Sequence, residues 1–136
     1  MIALDTSALI KRYVDEPHSD WLVKTMDREN EWCASMLLAC EGPIVVARNV
    51  ETVDELAAVD RRLHEDLDQF LLVPVDGDCL VNAVAIARAF TLRTLDAVHL
   101  AALRSLPGDC RFITFDRGQT TAAQELGIGT LAPPGL

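Results

Sequence analysis

Four acidic residues in this chain of 136 residues, Asp5, Glu41, Asp96 and Asp116, sit where a carboxylate is hard to place without chemistry. Asp5 ends the apolar run 1–4 and Asp116 ends the run 111–115, each of which reads as a buried strand. Glu41 and Asp96 lie in the otherwise apolar helical stretches 36–46 and 95–103. Burying a carboxylate is costly unless it is paired or binds a metal. Taken singly, each has an ordinary reading: Asp5 a turn residue, Glu41 a solvated helix position, Asp96 an acid stabilising a helix start, Asp116 a cap. Taken together they would repel one another strongly without cations among them. Hard divalent ions, held by oxygen with water completing the shell, resolve that repulsion.

Several neighbours have structural readings. His99, three residues after Asp96, is expected to be a hydrogen-bonded structural histidine, since hard cations prefer oxygen. Asp76 and Asp78 follow a strand-like run and read as caps for the next helix. Arg93 and Arg117 flank Asp96 and Asp116, where they could hold phosphates or simply face solvent. Cys33, Cys40, Cys79 and Cys110 contain no C-x-x-C pair and read as free, mostly buried thiols in a reducing cytoplasm.

The elements that must position these residues alternate between strand and helix. A strand at 1–4 leads to a helix carrying Leu9, Ile10, Tyr13 and Val14, which Pro17 closes. Ser19 is expected to cap a second helix, and 32–34 predicts a second strand. Ser35 is expected to cap a third helix to residue 48, which Gly42-Pro43 should kink or restart. Leu56, Val59, Leu63 and Leu67 stripe an amphipathic helix over 51–67. A strand at 70–75 precedes a helix to about residue 90, and Thr94 is expected to cap another that ends at Pro107-Gly108. A strand at 111–115, a helix to Leu126 and a strand at 128–131 follow.

This alternation predicts an α/β fold whose mostly parallel sheet is covered on both faces. Ligands in such folds bind beyond the carboxyl ends of the strands, so Asp5 and Asp116 belong to one rim. The length suits one domain over 1–132, with 133–136 as a short tail. A net charge of -9 and a pI near 4.6 argue against broad electrostatic binding of nucleic acid. An acidic enzyme acting on nucleic acid would need metal ions and a few placed arginines. No signal peptide and no membrane-length apolar run is read, so a cytoplasmic protein without membrane contact is expected.

The runs Ile2-Ala3-Leu4-Asp5-Thr6-Ser7-Ala8-Leu9, Leu95-Asp96-Ala97-Val98-His99-Leu100-Ala101 and Phe112-Ile113-Thr114-Phe115-Asp116 resemble the PIN-domain toxins of VapBC toxin-antitoxin modules. The resemblance covers nearly the whole chain in order and spacing. It implies a single PIN-like domain, a sheet sandwiched by helices, and a Mg²⁺ or Mn²⁺ site built from three or four acids. It further implies an endoribonuclease that hydrolyses RNA phosphodiesters through a metal-activated water and is inhibited by a cognate antitoxin. A homodimer and a larger toxin-antitoxin complex are the expected assemblies. Asp5, Asp96 and Asp116 match family acids, and Glu41 matches the glutamate after the second strand, whose helix is uninterrupted in the family. Thr6, Ser7 and Thr114 match polar positions that orient the site. The alternative is a PIN-like module that holds RNA or protein without cutting it.

Two other enzyme classes fit poorly. A phosphate-receiving regulator needs a lysine late in the chain, whereas the lysines here are Lys11 and Lys24. A phosphatase with a D-x-D nucleophile motif fails because Ser7 stands two residues after Asp5.

Overall fold

Short apolar segments punctuated by polar turns give five strands in the computed structural model, which describes residues 1–136. They are β1 (Ile2–Leu4), β2 (Trp32–Ser35), β3 (Phe70–Val73), β4 (Arg111–Ile113) and β5 (Gly129–Thr130). The sheet order is β3-β2-β1-β4-β5, and every neighbouring pair is parallel. Ala3 sits between Cys33 and Phe112 in register. Because side chains alternate across a strand, Ala3, Cys33 and Phe112 enter one core, while Ile2, Leu4, Ala34 and Ile113 enter another on the opposite face.

The helices divide between these two cores. On the Ile2 side lie α1 (Thr6–Leu9), a 3₁₀ turn (Ile10–Arg12), α2 (Ser19–Arg28), α3 (Leu37–Asn49) and α4 (Val53–Leu67). On the Ala3 side lie α5 (Gly77–Phe90), α6 (Thr94–Leu103) and α7 (Arg117–Glu125). Residues 97–103 of α6 are all buried, as expected of a helix apolar around its whole circumference. The chain steps outward from β1 to β2 to β3, then returns past β1 to lay down β4 and β5. The order therefore reverses between β1 and β4, and the crevice beyond their carboxyl ends is where such sheets bind ligands.

Some local expectations are corrected. Gly42-Pro43 does not restart its helix: α3 runs unbroken through Pro43. Proline clashes with the Cβ of the residue before it, and Gly42 has none. That residue is also buried, close to Leu63 of α4 and Leu9 of α1, so the helix continues through the missing hydrogen bond packed against both. Ser19 does not cap α2, because its hydroxyl donates to the Val14 carbonyl and accepts from the Glu16 amide, and His18 takes the cap position. Met36 stands at the cap position of α3, but the expected Ser35 still caps it with its side chain, accepting from the Leu37 amide at 3.1 Å. Arg93, not Thr94, stands at the cap position of α6.

The strands are shorter than their apolar runs. Pro74, lacking an amide hydrogen, follows the end of β3, and β4 stops at Ile113, the partner of Leu4, after which β1 itself turns into α1. All four cysteines are free, three of them buried and Cys40 exposed. No helix is long and apolar enough to cross a membrane.

Candidate active site

Asp5 leaves β1 as the N-cap of α1, and Asp116 leaves β4 as the N-cap of α7. Each accepts from the amide three residues on, Ala8 at 3.0 Å and Gln119 at 2.8 Å. Both are therefore helix caps whose side chains also line the same cavity. Asp96 is the third residue of α6, and Glu41 projects from the second turn of α3. All four line one open cavity of about 330 Å³ together with Thr6, Ser7, Arg93, His99 and Phe115. Their sources are four separate elements, so the convergence is a product of the sheet order.

Asp5 is the most enclosed, at 4% exposure. Ser7 Oγ lies 2.7 and 2.9 Å from its two oxygens, and Thr114 Oγ1 donates to Oδ2 at 2.8 Å. Burial pushes its pKa up, against the pull of the Ser7 and Thr114 hydrogen bonds and of His99. Glu41 is held the other way. Its Oε1 accepts from His99 Nε2 at 2.6 Å and from Thr6 Oγ1 at 2.9 Å, and the His99 hydrogen bond is the main cause of its lowered pKa.

His99 is a hydrogen-bonded histidine as expected, but its partner makes it part of the site. Because a carboxylate only accepts, Nε2 carries the proton, and the buried Nδ1 has no partner. Asp96 is bridged by the exposed Arg93, whose Nε lies 3.1 Å from Oδ2, a contact that water screens. Arg117 is exposed and lies outside the cavity lining, and Asp76 caps α5 through the Cys79 amide, away from the site.

Gln119 is the residue that sequence reasoning missed. It is fully buried, with Oε1 2.7 Å from Thr114 Oγ1 and Nε2 3.2 Å from Asp96 Oδ1. One side chain therefore ties the β4 end to α6. The available signal was a polar residue on the same face of α7 as Ala122 and Ala123, both buried. Thr114 has a single hydroxyl proton and two acceptors, Asp5 Oδ2 and Gln119 Oε1, so the network is one proton short while Asp5 is ionised.

Four oxygen donors of this kind fit a hard divalent cation, and neither Glu41 Oε2 nor Asp116 Oδ2 receives a hydrogen bond from the protein. In the present arrangement no three His, Cys, Asp or Glu side chains lie within joint ligation reach. Each acid is turned to a local donor, so ion binding would draw them together.

Gly118 leaves room for Asp116: a Cβ there would lie 3.2 Å from Asp116 Oδ1 and 3.2 Å from Leu92 Cδ2. Gly118→Ala is expected to lower activity severalfold by displacing that carboxylate. The thermal midpoint should change little, because alanine's helix advantage of about 0.5–1 kcal/mol offsets the crowding. Parallel melts and cleavage assays check this, and unchanged activity would remove Asp116 from the machinery.

With this geometry in place, the class of protein is clear: the chain belongs to the PIN domain family, whose profile matches residues 2–125. Within that family it belongs among the VapC proteins. It is 35% identical over 133 residues to Ribonuclease VapC46 of Mycobacterium tuberculosis, covering 97% of each chain. It is 33% identical over 138 residues to Ribonuclease VapC47 of the same species, covering 98% of this chain and 97% of the relative. In fold it is similar to FitAcB from Neisseria gonorrhoeae, with a TM-score of 0.77 at 20% identity over 100% of both chains. A toxin-antitoxin complex from Klebsiella pneumoniae matches with a TM-score of 0.71 at 16% identity, again over 100% of both chains.

Proposed function

We propose that this chain is a metal-dependent endoribonuclease, the toxin of a toxin-antitoxin pair. The observation that carries the reading is the meeting of Asp5, Glu41, Asp96 and Asp116 at the crevice where the strand order reverses, in a chain of the PIN family. Its relatives named as ribonucleases support the reaction class. A Mg²⁺ or Mn²⁺ ion held by these acids would supply Lewis acidity toward the phosphate and lower the pKa of the attacking water.

The chain's own residues do the rest. Ser7 and Thr114 orient Asp5, and Thr6 and His99 hold Glu41 by one oxygen. Gln119 fixes Asp96 relative to the end of β4. Arg93, the cation at the rim of the cavity, can leave Asp96 for a flanking phosphate because its side chain is 83% exposed.

The partner reading follows from charge. An acidic cavity open to solvent is a ready site for a guanidinium, whose planar fork matches carboxylates. A cognate antitoxin that inserts an arginine among these acids would compete with the metal. The exposed Leu80, Val81 and Val84 on α5 are consistent with a homodimer and a larger toxin-antitoxin complex. The cysteine pattern, free thiols without a disulfide, suits a reducing cytoplasm.

Purified chain, free of any antitoxin, is expected to cut structured RNAs internally when Mg²⁺ or Mn²⁺ is supplied. RNA that is bound yet stays intact under those conditions would replace this reading with the non-cleaving module. Glu41 lines the cavity from an unbroken α3, which supports the cleaving reading.

A further inference from the structure

Beside the carboxylate cavity lies an aromatic cluster that the cleavage chemistry does not use. Phe115 lines the cavity, and three side chains gather on its ring. His18 stacks on it with centroids 5.8 Å apart and 17° between the planes. Trp21 meets it nearly edge-on at 6.3 Å and 86°, and Lys11 Nζ lies 4.5 Å from its centroid. Phe115 and Trp21 are half-buried, while His18 is exposed.

The backbone of His18 is unusual. Its φ of 72° is left-handed, as is that of one other non-glycine residue, Thr91 at 55°. Thr91 ends α5, where a left-handed residue is the common way to stop a helix. His18 instead precedes α2, where extended backbone is the rule, and its side chain makes no capping hydrogen bond. The strained turn is not explained by helix capping. What it does is lay the imidazole on Phe115, and strain of this kind gathers at ligand sites.

We propose that His18, stacked on Phe115 and braced by Trp21, is a platform for one unpaired nucleobase of the RNA whose backbone enters the carboxylate cavity. The proposal rests on the ribonuclease reading and states how that site holds its substrate. Every scissile phosphate has a base one sugar away, so a flat face next to the cavity, joined to it by Phe115, lies where such a base can stack. A chain of net charge -9 lacks blanket attraction for phosphates. Stacking on an aromatic face needs no such charge and tolerates any base, and histidine is one of the rings that unstacked RNA bases use. Lys11 is paired with Glu16 at 3.0 Å, so its role is to brace Phe115, and the outward face of His18 is left for the base.

The test is fluorescence anisotropy of the full-length chain with a labelled decaadenylate and Ca²⁺ in place of Mg²⁺ or Mn²⁺, so that the acids are neutralised and binding is read without cleavage. His18→Gly is expected to weaken binding about tenfold, and His18→Phe to restore most of it. With an abasic ribose-phosphate decamer the two variants and the wild type should bind alike. Glycine takes the left-handed conformation freely, so the melting temperature of His18→Gly should equal or exceed that of the wild type, which separates lost stacking from lost folding.

Equal binding of decaadenylate by His18→Gly and wild type overturns the platform. So does an equal loss on the intact and abasic decamers, which would make the contact one to phosphate. Weakened binding of a basic, arginine-containing peptide with RNA binding unchanged also overturns it, and assigns the face to a protein. If the platform fails while the wild type still cuts RNA in Mn²⁺, the ribonuclease reading stands; a wild type that neither binds nor cuts removes both.

Discussion

Asp5→Asn and Asp96→Asn are each expected to abolish RNA cleavage, and Asp5→Asn should also raise the melting temperature of the metal-free chain near neutral pH. Losing an outer partner of a metal ligand commonly costs about 10- to 100-fold, and removing a charged ligand itself should exceed that. The stability gain follows from the burial of Asp5, which holds its folded pKa above that of a free aspartate. The fold therefore favours the protonated acid. Its stabilising contribution is complete below the unfolded pKa and is lost as pH rises through the folded one.

An asparagine has the same shape and never ionises, so that loss disappears. Its amide can also donate to Thr114 Oγ1, which frees the Thr114 proton for Gln119 Oε1 and completes a network now one proton short. Melts of wild type and Asp5→Asn from about pH 4 to about pH 8, in EDTA, measure this. The gap between the two should open as pH rises. A variant less stable than the wild type near neutral pH would mean that the Asp5 carboxylate is satisfied as an anion, and cleavage by either variant would remove that residue from the site.

Removing divalent ions should abolish cleavage, and saturating Mn²⁺ should raise the melting temperature of the wild type. A ligand at about 100 times its Kd adds about 2.7 kcal/mol to the folded state. For a domain of this size that is a shift of roughly 8–11 °C. The gain comes from relieving the mutual repulsion of the acids and the cost of the buried Asp5 charge. Asp116→Asn should keep its fold and lose much of the shift, because the amide is a poorer ligand than the carboxylate it replaces. The Arg93–Asp96 bridge must yield to the ion, and its exposure makes that inexpensive. An unchanged melting temperature at saturating Mn²⁺ would show that the acids do not gather an ion.

The acids differ in how far they were readable before the fold was known. Asp5 and Asp116 end apolar runs, and an acid at the end of a buried strand is both a cap and a rim residue, so local pattern suffices. Asp96 drew attention as a charge in an apolar helix. Glu41 was harder, because Gly42-Pro43 reads as a helix breaker and so hides where the glutamate points. Only the burial of Gly42, with the Leu63 and Leu9 side chains close by, shows why the helix survives. His99 was expected to be structural, and nothing near it in the chain says that its partner is Glu41, 58 residues away.

Composition, periodicity and turn chemistry by themselves determined the order of strands and helices and the parallel α/β class, and they marked which acids sit in apolar surroundings, because each depends on residues within a turn or two of one another. The tertiary structure decided the sheet order β3-β2-β1-β4-β5 and with it the crevice where the acids meet. It also decided the bond from Thr114 to Asp5 across 109 residues, the burial of Gln119 between Thr114 and Asp96, and the stacking of His18 on Phe115. These could not be read locally because a strand's pattern says which of its faces is buried but not which strand lies beside it.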